Sequence, residues 1–384
     1  MRAAVLGFGT VGVGVFEMLQ KAPGLESGPV LVRPGKVDAP FKVSDPEAIF
    51  SDPGVDAVVE VMGGVEPAFT YVAAALRAGK HVVTSNKALV AAKGLELDAL
   101  AREKGVGFLF SAACGGAIPF LHNLALAAQS DRILFVGGIL NGTTNFILDA
   151  MQTRGSDYAD MLREAQRLGY AEADPSADVS GLDALRKIML ACAAAWGKLP
   201  VGGLLHEGIE SLSARDVAHF QARGLGCRLL ATGVLAENGA LCACVQPTLL
   251  PAGAAELSVH KNFNMARYEG QNAGPIVLIG QGAGRYPTAS AVLRDLSDLA
   301  CGRREMFPAG LEAVEADNEA LRFRYCVRLP ADRAEALPFA ERETEGETLR
   351  GLTEPLSAAR MHETAARLRG EGVPLFFAAM EGAL

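Results

Sequence analysis

The chain has 384 residues, more than the roughly 250 to 300 that one hydrophobic core usually serves, so we expect two or three domains. Half of the residues are apolar and 21% are charged, and no run of about 18 uninterrupted apolar residues occurs, which excludes a disordered chain and a membrane-spanning protein. The net charge of −8 argues against nucleic acid or a membrane surface as a partner, because phosphate binding requires clustered Lys and Arg. We therefore expect small-molecule ligands.

The cysteines and the N-terminal residues favour the cytoplasm. The seven cysteines include no C-x-x-C pair, and an odd number suits reduced thiols better than a disulfide framework. A secretory signal would need an apolar stretch and a cleavage site before the glycine-rich loop that begins at Gly7, and the sequence leaves no room for them.

The first third of the chain alternates β-type and α-type patterns. Short apolar runs predict strands, whereas apolar residues at helical spacing predict helices. The predicted strands cover residues 2–6, 30–37, 55–62, 81–84 and 107–111, and the predicted helices cover 11–20, 67–78 and 88–104. This alternation predicts a doubly wound parallel sheet with right-handed crossovers, in an α/β domain over residues 1–130.

A G-x-G-x-x-G loop joins the first predicted strand to the first predicted helix. In this motif the glycines permit a tight turn and let backbone N–H groups approach a pyrophosphate at the helix N-terminus. The loop residues are Gly7, Phe8, Gly9, Thr10, Val11 and Gly12. Their place between a strand and a helix favours dinucleotide binding by a Rossmann domain over an ordinary glycine turn.

Basic residues near the end of the second predicted strand favour NADP. An acidic residue at this place binds the ribose 2′-OH of NAD, whereas an Arg accommodates the 2′-phosphate of NADP. The chain has Arg33 and Lys36 there. NAD remains possible if these two side chains only belong to a solvated loop.

The pattern changes at about residue 131. A strand at 132–140, followed by long helices and further strands, predicts an α+β domain over residues 131–287 that carries the substrate pocket and dimer contacts. We expect a helix at 288–301 to pack back on the first domain. A more charged region ends in a strand at 321–329, a helix at 362–369 and a strand at 373–379, which we interpret as a small α+β module over residues 318–384.

Two polar clusters follow predicted strands. Lys87 comes just after the strand 81–84, and open α/β sheets bind ligands at the carboxyl ends of their strands; a lysine at a helix start is otherwise simply solvated. Gly142 and Thr143 lie between a strand and a helix. Their N–H and hydroxyl groups could bind a carboxylate, or the segment could merely cap the helix.

A third cluster combines acids with a lysine. Asp183 and Lys187 are four residues apart on a predicted helix, so they could form a surface ion pair worth about 0.3 to 0.5 kcal/mol. The apolar stretch that follows them instead predicts a buried helix. Burial favours the neutral amine and suits Lys187 to proton transfer.

Together, these segments resemble the homoserine dehydrogenase family. The matching segments, in the family's order, are GFGTVG, VVEVMGG followed by Pro67-Ala68, GKHVVTSNKALVA, NGTTNFIL, GYAEADP, GLDALRK and GQGAGRYPTAS. They lie within residues 1–310. The resemblance implies reversible NAD(P)H-dependent reduction of L-aspartate 4-semialdehyde to L-homoserine, on the route from aspartate to threonine and methionine.

The resemblance also implies roles for single residues. Lys187 and Lys87 would be the proton-handling and carbonyl-polarising lysines, and carboxylates beside them suit the ammonium group of a zwitterionic substrate. The residues expected to bind substrate are Glu172, Asp183, Gly142, Thr143, Tyr170 and Asp178. The residues expected to contact the cofactor, besides the glycine loop and the basic pair, are Gly63, Lys87, Gly169 and Gly284.

Two segments depart from the family's pattern. Members usually carry a glutamate that holds a sodium ion together with backbone carbonyls, and this chain has Ser111 instead. Carbonyls of Cys114, Gly116 and Ile118 could still contribute, but a hard cation loses its only charged ligand, so we predict no metal.

The last module resembles a divergent ACT domain in its order of elements. It lacks the usual glycine after Asp332-Arg333, where Ala334-Glu335 stand. We therefore expect dimer contacts from this module rather than binding of a regulatory amino acid.

Two other functions remain open at this point. One is another NAD(P)-dependent amino-acid dehydrogenase on the same scaffold, and the other is a non-catalytic NADP-binding regulator. Loss of Lys87, Glu172, Asp183 or Lys187 would indicate the regulator, and the chain has all four. We expect a homodimer or homotetramer, because two-fold dimers are the commonest assembly of soluble enzymes.

Overall fold

The computed structural model describes residues 1–380. They form two compact units. The first unit comprises Met1–Ile133, Met189–Leu199 and Gly270–Ala313. The second unit comprises Leu134–Ile188, Pro200–Glu269 and the described part of Val314–Leu384.

The first elements in the chain build a six-stranded parallel sheet with helices. These elements are β1 (Arg2–Leu6), α1 (Thr10–Leu19), β2 (Glu26–Leu31), β3 (Lys42–Val43), α2 (Glu47–Phe50), β4 (Ala57–Glu60), α3 (Ala68–Arg77), β5 (His81–Thr84), α4 (Lys87–Lys104), β6 (Phe108–Leu109) and α5 (Phe120–Ala127). The strand order is β3-β2-β1-β4-β5-β6, which is the order of a Rossmann fold. The predicted α/β class and Rossmann domain are confirmed.

Three of these strands hold the centre of the sheet. β4 is buried along its whole length, and β1 and β5 are buried except at their first residues, because helices cover both faces of a parallel sheet. In the pairing register, Leu6, Glu60 and Thr84 stand side by side in one row at the carboxyl ends of β1, β4 and β5. The loops after these three strands therefore begin next to one another.

The sheet differs from prediction at β2 and β6. β2 begins at Glu26, before the predicted 30–37 strand, because Ser27, Gly28 and Pro29 have turn-type composition that hid its first half. The pairing with β1 is irregular between Ala3 and Val5, and such a bulge tolerates a proline, which has no N–H to donate. At the predicted strand 107–111, only two residues are extended, and Ser111–Ala113 forms a 3-10 turn.

The remaining elements follow in chain order. They are β7 (Ile133–Ile139), α6 (Gly142–Arg154), α7 (Tyr158–Arg167), α8 (Ser176–Val179), α9 (Leu182–Trp196), β8 (Lys198–Gly202), β9 (Leu205–His206), α10 (Ala214–Gln221), β10 (Leu225–Leu235), β11 (Leu241–Pro251), β12 (Phe263–Gly270), β13 (Gly274–Gln281), α11 (Arg285–Ala300), β14 (Glu312–Glu315), β15 (Arg322–Phe323), β16 (Tyr325–Pro330), β17 (Phe339–Glu345), β18 (Thr348–Thr353), β19 (Leu356–Ser357), α12 (Ala358–Gly370) and β20 (Phe376–Met380). Helix α11 belongs to the first unit and packs on α1, where a Cβ atom built on Gly14 would lie 2.7 Å from Cγ of Arg285.

The second unit is built on a mostly antiparallel sheet with the strand order β12-β7-β10-β11-β20-β16-β18-β17. Its last four strands in this order come from the C-terminal segment. One face of this segment packs on α12, and the shared core includes Tyr325, Val327, Leu329, Met361 and Leu368.

The C-terminal segment was predicted only in part. The predicted strand 321–329 is interrupted at Arg324, and the hairpin of β17 and β18 was missed. The hairpin escaped detection because six of the seven positions of the β17 sequence FAERETE are exposed, so the strand lacks the apolar–polar alternation of a half-buried strand. The last four residues of the predicted module lie outside the described residues.

No helix within residues 1–380 is long and apolar enough to cross a membrane. The division into domains at 1–130, 131–287 and 318–384 stays a prediction.

Candidate active site

The glycine loop has the geometry that pyrophosphate binding requires. Gly7 has φ of +102°, which L side chains rarely adopt. A Cβ on Gly12 would lie 2.1 Å from the carbonyl oxygen of Gly7, whereas a Cβ on Gly9 would meet nothing within 4 Å. Gly9 is the N-cap of α1 and has no side chain to occupy the first N–H groups of the helix. The loop therefore leaves space and N–H donors for a pyrophosphate.

The basic pair follows β2 closely. Leu31, the last residue of β2, accepts a hydrogen bond from the N–H of Gly7 at 3.1 Å, so the end of β2 lies beside the glycine loop. Arg33 and Lys36 are both exposed in the turn that comes next. This is the place where Rossmann domains read the ribose 2′ position.

Lys87 is the first residue of α4. It is half-buried, and it follows Asn86, whose side-chain oxygen accepts the N–H of Leu89 at 3.1 Å as an N-cap. The backbone at Lys87 is therefore held by a helix cap at the carboxyl edge of the parallel sheet.

Asn141 organises the polar cluster of the second unit. Its Oδ1 accepts the N–H of Thr144 at 2.8 Å and so caps α6. Its Nδ2 donates to Asp178 Oδ1 at 2.8 Å and to Asp183 Oδ2 at 2.9 Å. The sequence left open whether this segment caps the helix or binds a carboxylate, and the Asn141 side chain both caps α6 and donates to two carboxylates of the chain.

Lys187 and Asp183 form a buried pair. The Lys187 Nζ donates to Asp183 Oδ2 at 2.7 Å and to the carbonyl oxygen of Leu140 at 2.6 Å. Each side chain is only 9% exposed. The alternative of a surface ion pair is therefore wrong, and the predicted burial of this helix is confirmed.

Asp178 brings a second carboxylate to the cluster. Thr143 Oγ1 donates to the carbonyl oxygen of Tyr170 at 2.6 Å and contacts Asp178 Oδ2 at 3.2 Å. Burial raises the pKa of Asp178, and the negative charge of Asp183 raises it further. Two carboxylates and a lysine thus lie in one cluster, in which the positive charge of Lys187 favours the ionised form of Asp178.

The segment from Gly169 to Glu172 is only partly buried, with Gly169 and Glu172 exposed. Gly169 has φ of +75° and ends the turn after α7, and the Tyr170 ring packs edge-on against Phe146. Glu172 is exposed, and its side chain makes no hydrogen bond or ion pair with another residue in 1–380. The structure joins the backbone of Tyr170 to the Asn141 cluster but not the Glu172 carboxylate.

The remaining predicted cofactor residues are glycines in loops. Gly63 follows β4 with φ of +81°, and Gly284 is the N-cap of α11 with φ of +126°.

A carboxylate from a distant part of the chain accepts a hydrogen bond from the Ser111 segment. Asp295 of α11 is fully buried and accepts the N–H of Ser111 at 2.8 Å. Burial raises the pKa of Asp295 to about 7. Of the candidate carbonyls at Cys114, Gly116 and Ile118, that of Ile118 already accepts the N–H of Phe120 at 2.8 Å.

No group of three or more His, Cys, Asp or Glu side chains in the described part of the chain could hold a metal ion.

Sequence reasoning missed the importance of Asn141, the Leu140 carbonyl and Asp295. Asn141 was visible within the NGTTN segment as a helix cap, but its bond to Asp178 spans 37 residues. The contact between Ser111 and Asp295 spans 184 residues. No local pattern reports such contacts.

Family models match the chain in two segments. The model described as "Homoserine dehydrogenase, NAD binding domain" matches residues 7–111. The model described as "Homoserine dehydrogenase" matches residues 119–297. The first match contains the glycine loop, and the second contains the Asn141 cluster.

Individual proteins match in the same way. A homoserine dehydrogenase from Corynebacterium glutamicum is 45% identical over 313 residues, which cover 76% of this chain and 70% of the relative. The crystal structure of a homoserine dehydrogenase from Thiobacillus denitrificans superposes with a TM-score of 0.88 at 32% identity, covering 100% of this chain and 99% of that one. A hyperthermophilic archaeal homoserine dehydrogenase in complex with NADPH has a TM-score of 0.68 at 26% identity, covering 81% of this chain and 99% of that one.

Proposed function

Because this chain belongs to the homoserine dehydrogenase family, it is an NAD(P)-dependent oxidoreductase of the route from aspartate to threonine and methionine, and we propose that Lys187 is its proton-transfer residue. The reaction interconverts L-homoserine and L-aspartate 4-semialdehyde. The observation that carries the proposal is the position of the Lys187 Nζ, held by a carbonyl and a carboxylate at 2.6 and 2.7 Å in a buried cluster.

The chemistry requires a hydride and a proton. Bound NAD(P)H supplies the hydride to the aldehyde carbon, and negative charge then develops on the aldehyde oxygen. The Lys187 ammonium offsets this charge and delivers the proton, which leaves a neutral amine. Asp183 favours the protonated amine and so prepares Lys187 for the next turnover. In the oxidative direction the neutral amine accepts the proton of the homoserine hydroxyl.

The acids of the cluster bind the substrate's ammonium group. Asp178 accepts a hydrogen bond from the Asn141 amide at 2.8 Å and lies 3.2 Å from the Thr143 hydroxyl, so its ionised form offers a positioned carboxylate to the ammonium group. Gly142 and Thr143 line this pocket, with Tyr170 beside them. Glu172 is the weakest member of the proposed set, because its carboxylate is exposed.

Lys87 is the second catalytic lysine of the proposal. It lies at the carboxyl edge of the parallel sheet, at the start of a capped helix. An ammonium group there would polarise the carbonyl group of the aldehyde and contact the nicotinamide side of the cofactor.

NADP is the preferred cofactor of the proposal, with NAD as the weaker one. Exposed Arg33 and Lys36 after β2 suit a 2′-phosphate, and the archaeal relative binds NADPH. The glycine loop, Gly63, Gly169 and Gly284 contribute further cofactor contacts. The open space at Gly9 supports this assignment.

We further propose a homodimer or homotetramer in the cytoplasm. On β13, every second residue is exposed, including Val277 at 42% and Ile279 at 55%, and exposed apolar side chains on one strand face favour association with another copy. The seven cysteines are all thiols, which suits a reducing compartment.

The ACT-like interpretation of the C-terminal segment is a proposal about architecture only. Its support is the antiparallel strand order β20-β16-β18-β17, which a β-α-β-β-α-β module adopts. Between β16 and β17 the chain forms a short 3-10 segment at Ala331–Ala336 instead of an α-helix. Without that helix, a contact role is better supported than binding of an amino acid.

The test of the catalytic proposal is Lys187→Ala, followed by NADPH absorbance with L-homoserine and either NADP or NAD. We expect turnover to fall by about a hundredfold to ten-thousandfold, the usual contribution of a positioned proton donor, while the Kd for NADPH stays at the wild-type value. Lys198→Ala is the matched control, because Lys198 also pairs with an acid, Glu312, at 2.7 Å, but at an exposed position.

The same assay separates the alternatives. A wild-type enzyme that ignores homoserine but oxidises another amino or hydroxy acid would indicate a different dehydrogenase. Binding of NADP without any turnover would indicate a regulator. An unchanged rate in Lys187→Ala would remove the catalytic assignment while leaving the family intact.

A further inference from the structure

A buried carboxylate lies in the middle of the row that ends the three central strands. Glu60 stands between Leu6 and Thr84 in the pairing register and is 0% exposed. Burial of a carboxylate requires compensation by donors. None of the proposed catalytic or binding steps uses this group.

The carboxylate binds both neighbouring loops. Its Oε1 accepts the N–H of Met62 at 2.7 Å and, more weakly, that of Gly63 at 3.3 Å. Its Oε2 accepts the hydroxyl of Thr84 at 2.5 Å. One side chain thus joins the loop after β4 to the end of β5.

Thr84 and Asn86 extend this network to Lys87. Thr84 Oγ1 accepts the N–H of Asn86 at 2.9 Å. The Asn86 amide donates to the carbonyl oxygen of Gly64 at 2.6 Å and contacts Glu60 Oε1 at 3.5 Å, while its oxygen caps α4. The position of Lys87 therefore depends on the same hydrogen bonds as the loop of residues 61–64.

The loop of residues 61–64 also contacts the glycine loop. A Cβ on Gly7 would lie 3.1 Å from both Cγ of Met62 and the carbonyl oxygen of Val61. A shift of Met62 would consequently displace the backbone on which the glycine loop packs.

We propose that Glu60 is a positioning residue, whose ionised carboxylate holds the glycine loop, residues 61–64 and Lys87 in the geometry that binds NAD(P)H and aligns the reacting carbonyl. The Thr84 hydroxyl, the N–H groups of Met62 and Gly63 and the Asn86 amide all donate to Glu60. A protonated carboxyl would instead need an acceptor for its own hydrogen. The inference rests on the cofactor and Lys87 roles proposed above. Nothing in it requires Glu60 to touch substrate.

The test is Glu60→Gln in the full chain, with NADPH affinity measured by fluorescence titration and kcat and KM measured separately. The NH2 group of the glutamine amide can donate hydrogen bonds but cannot accept them. It would therefore face groups that donate to Glu60 in the wild type without accepting their hydrogen bonds. We expect the Kd for NADPH to rise and kcat to fall by about tenfold to a hundredfold, the loss typical of a small misplacement of reacting groups.

Thr84 provides an independent pair of variants. Thr84→Val removes the hydroxyl and should reproduce the direction of the Glu60→Gln effect, whereas Thr84→Ser keeps the hydroxyl and should retain near wild-type affinity and turnover. This pair keeps the proposal testable even if Glu60→Gln fails to fold.

Asp98→Asn is the matched control for stability. Asp98 is a buried carboxylate in α4 with its own partner, Arg102, at 2.7 Å. We expect Asp98→Asn to lower the melting temperature without a change in NADPH affinity. If Glu60→Gln and Thr84→Val also lower only the melting temperature, the network is merely structural and the proposal is wrong.

A failure of the proposal for Glu60 can be distinguished from a failure of the catalytic role proposed for Lys87. Lys87→Ala measured beside Lys93→Ala, a half-buried lysine of the same helix that pairs with Glu96 at 3.3 Å, reports on the role of Lys87 itself. If Lys87→Ala retains full turnover, the alignment part of the inference is overturned, while weaker NADPH binding in Glu60→Gln would still support the cofactor part.

Discussion

Glu60 in the first unit and Asp183 in the second are both buried carboxylates, but their partners differ in charge. The donors to Glu60 are backbone N–H groups, a hydroxyl and an amide, all neutral. Asp183 accepts from the Asn141 amide and from the Lys187 ammonium, and it also faces Asp178. We therefore propose that the first network stabilises one geometry, whereas the second contains the group whose charge changes during the reaction.

Glu60 and the acids of the Asn141 cluster also differ in what they offer to a ligand. Glu60 already has donors for both of its oxygens, and these hydrogen bonds favour the ionised form against the rise in pKa that burial causes. A ligand would therefore gain little by approaching it. The Asn141 cluster instead contains two carboxylates and an ammonium group. This contrast is the basis on which we propose a positioning role for Glu60 and a substrate-binding role for the acids of the cluster.

The largest effect that tests this comparison is expected for Asp178→Asn. The variant keeps the size of the side chain but removes the negative charge that we propose attracts the ammonium group, so KM for homoserine should rise by about tenfold to a hundredfold, as for loss of one hydrogen bond to a charged group. The Kd for NADPH should stay unchanged. Steady-state kinetics and a fluorescence titration measure the two quantities.

The pH dependence of KM for homoserine tests the same role of the Asp178 charge. Only ionised Asp178 attracts the ammonium group, and its pKa is raised, so in the wild type KM for homoserine should increase as the pH falls through that raised value. Asp178→Asn should lose this increase. A variant with wild-type KM at every pH would show that Asp178 does not bind the ammonium group.

An effect on stability, and not on substrate binding, is expected at Asp295. Its pKa is raised from 3.8 to about 7, so the folded protein holds a proton that the unfolded chain releases. The contribution of Asp295 to the free energy of unfolding is fully present below pH 3.8 and is lost as the pH rises to about 7. The loss amounts to up to about 1.4 kcal/mol for each pH unit. Asp295→Asn keeps an acceptor for the N–H of Ser111 and should therefore be more stable than the wild type above neutral pH.

Denaturant unfolding of both proteins across this range checks the prediction. If the free energies of unfolding of wild type and Asp295→Asn differ by the same amount at every pH, then Asp295 does not hold its proton in the folded state.

The smaller of the two effects on stability is expected at His362, with the opposite sign. Its ring contacts Gln246 Oε1 at 3.2 Å, and burial lowers its pKa from 6.5 to about 4. The contribution of the neutral His362 ring to the free energy of unfolding is fully present above pH 6.5 and is lost as the pH falls to about 4. His362→Gln should unfold with a weaker dependence on pH in this range, measured by the same method. An unaltered slope would contradict the assignment.

The sequence predicts those features that depend on neighbouring residues. The strand, loop and helix at residues 1–20 follow from local patterns, and the pair of Asp183 and Lys187 follows from helical spacing together with the apolar residues after it. The bonds from Asn141 to Asp178 and Asp183 could not be predicted, because they require α6, α8 and α9 to pack together. Glu60 was overlooked for a similar reason, since one acid at the end of an apolar strand does not reveal its donors.

The central claim is that the buried Lys187 ammonium transfers the proton, and chemical rescue tests it most directly. Lys187→Ala should leave space for a small amine, so adding methylamine should restore part of the homoserine-dependent turnover, and the rescue should increase with the basic form of the amine. Lys198→Ala should show no response. Full turnover of Lys187→Ala without amine would contradict the account.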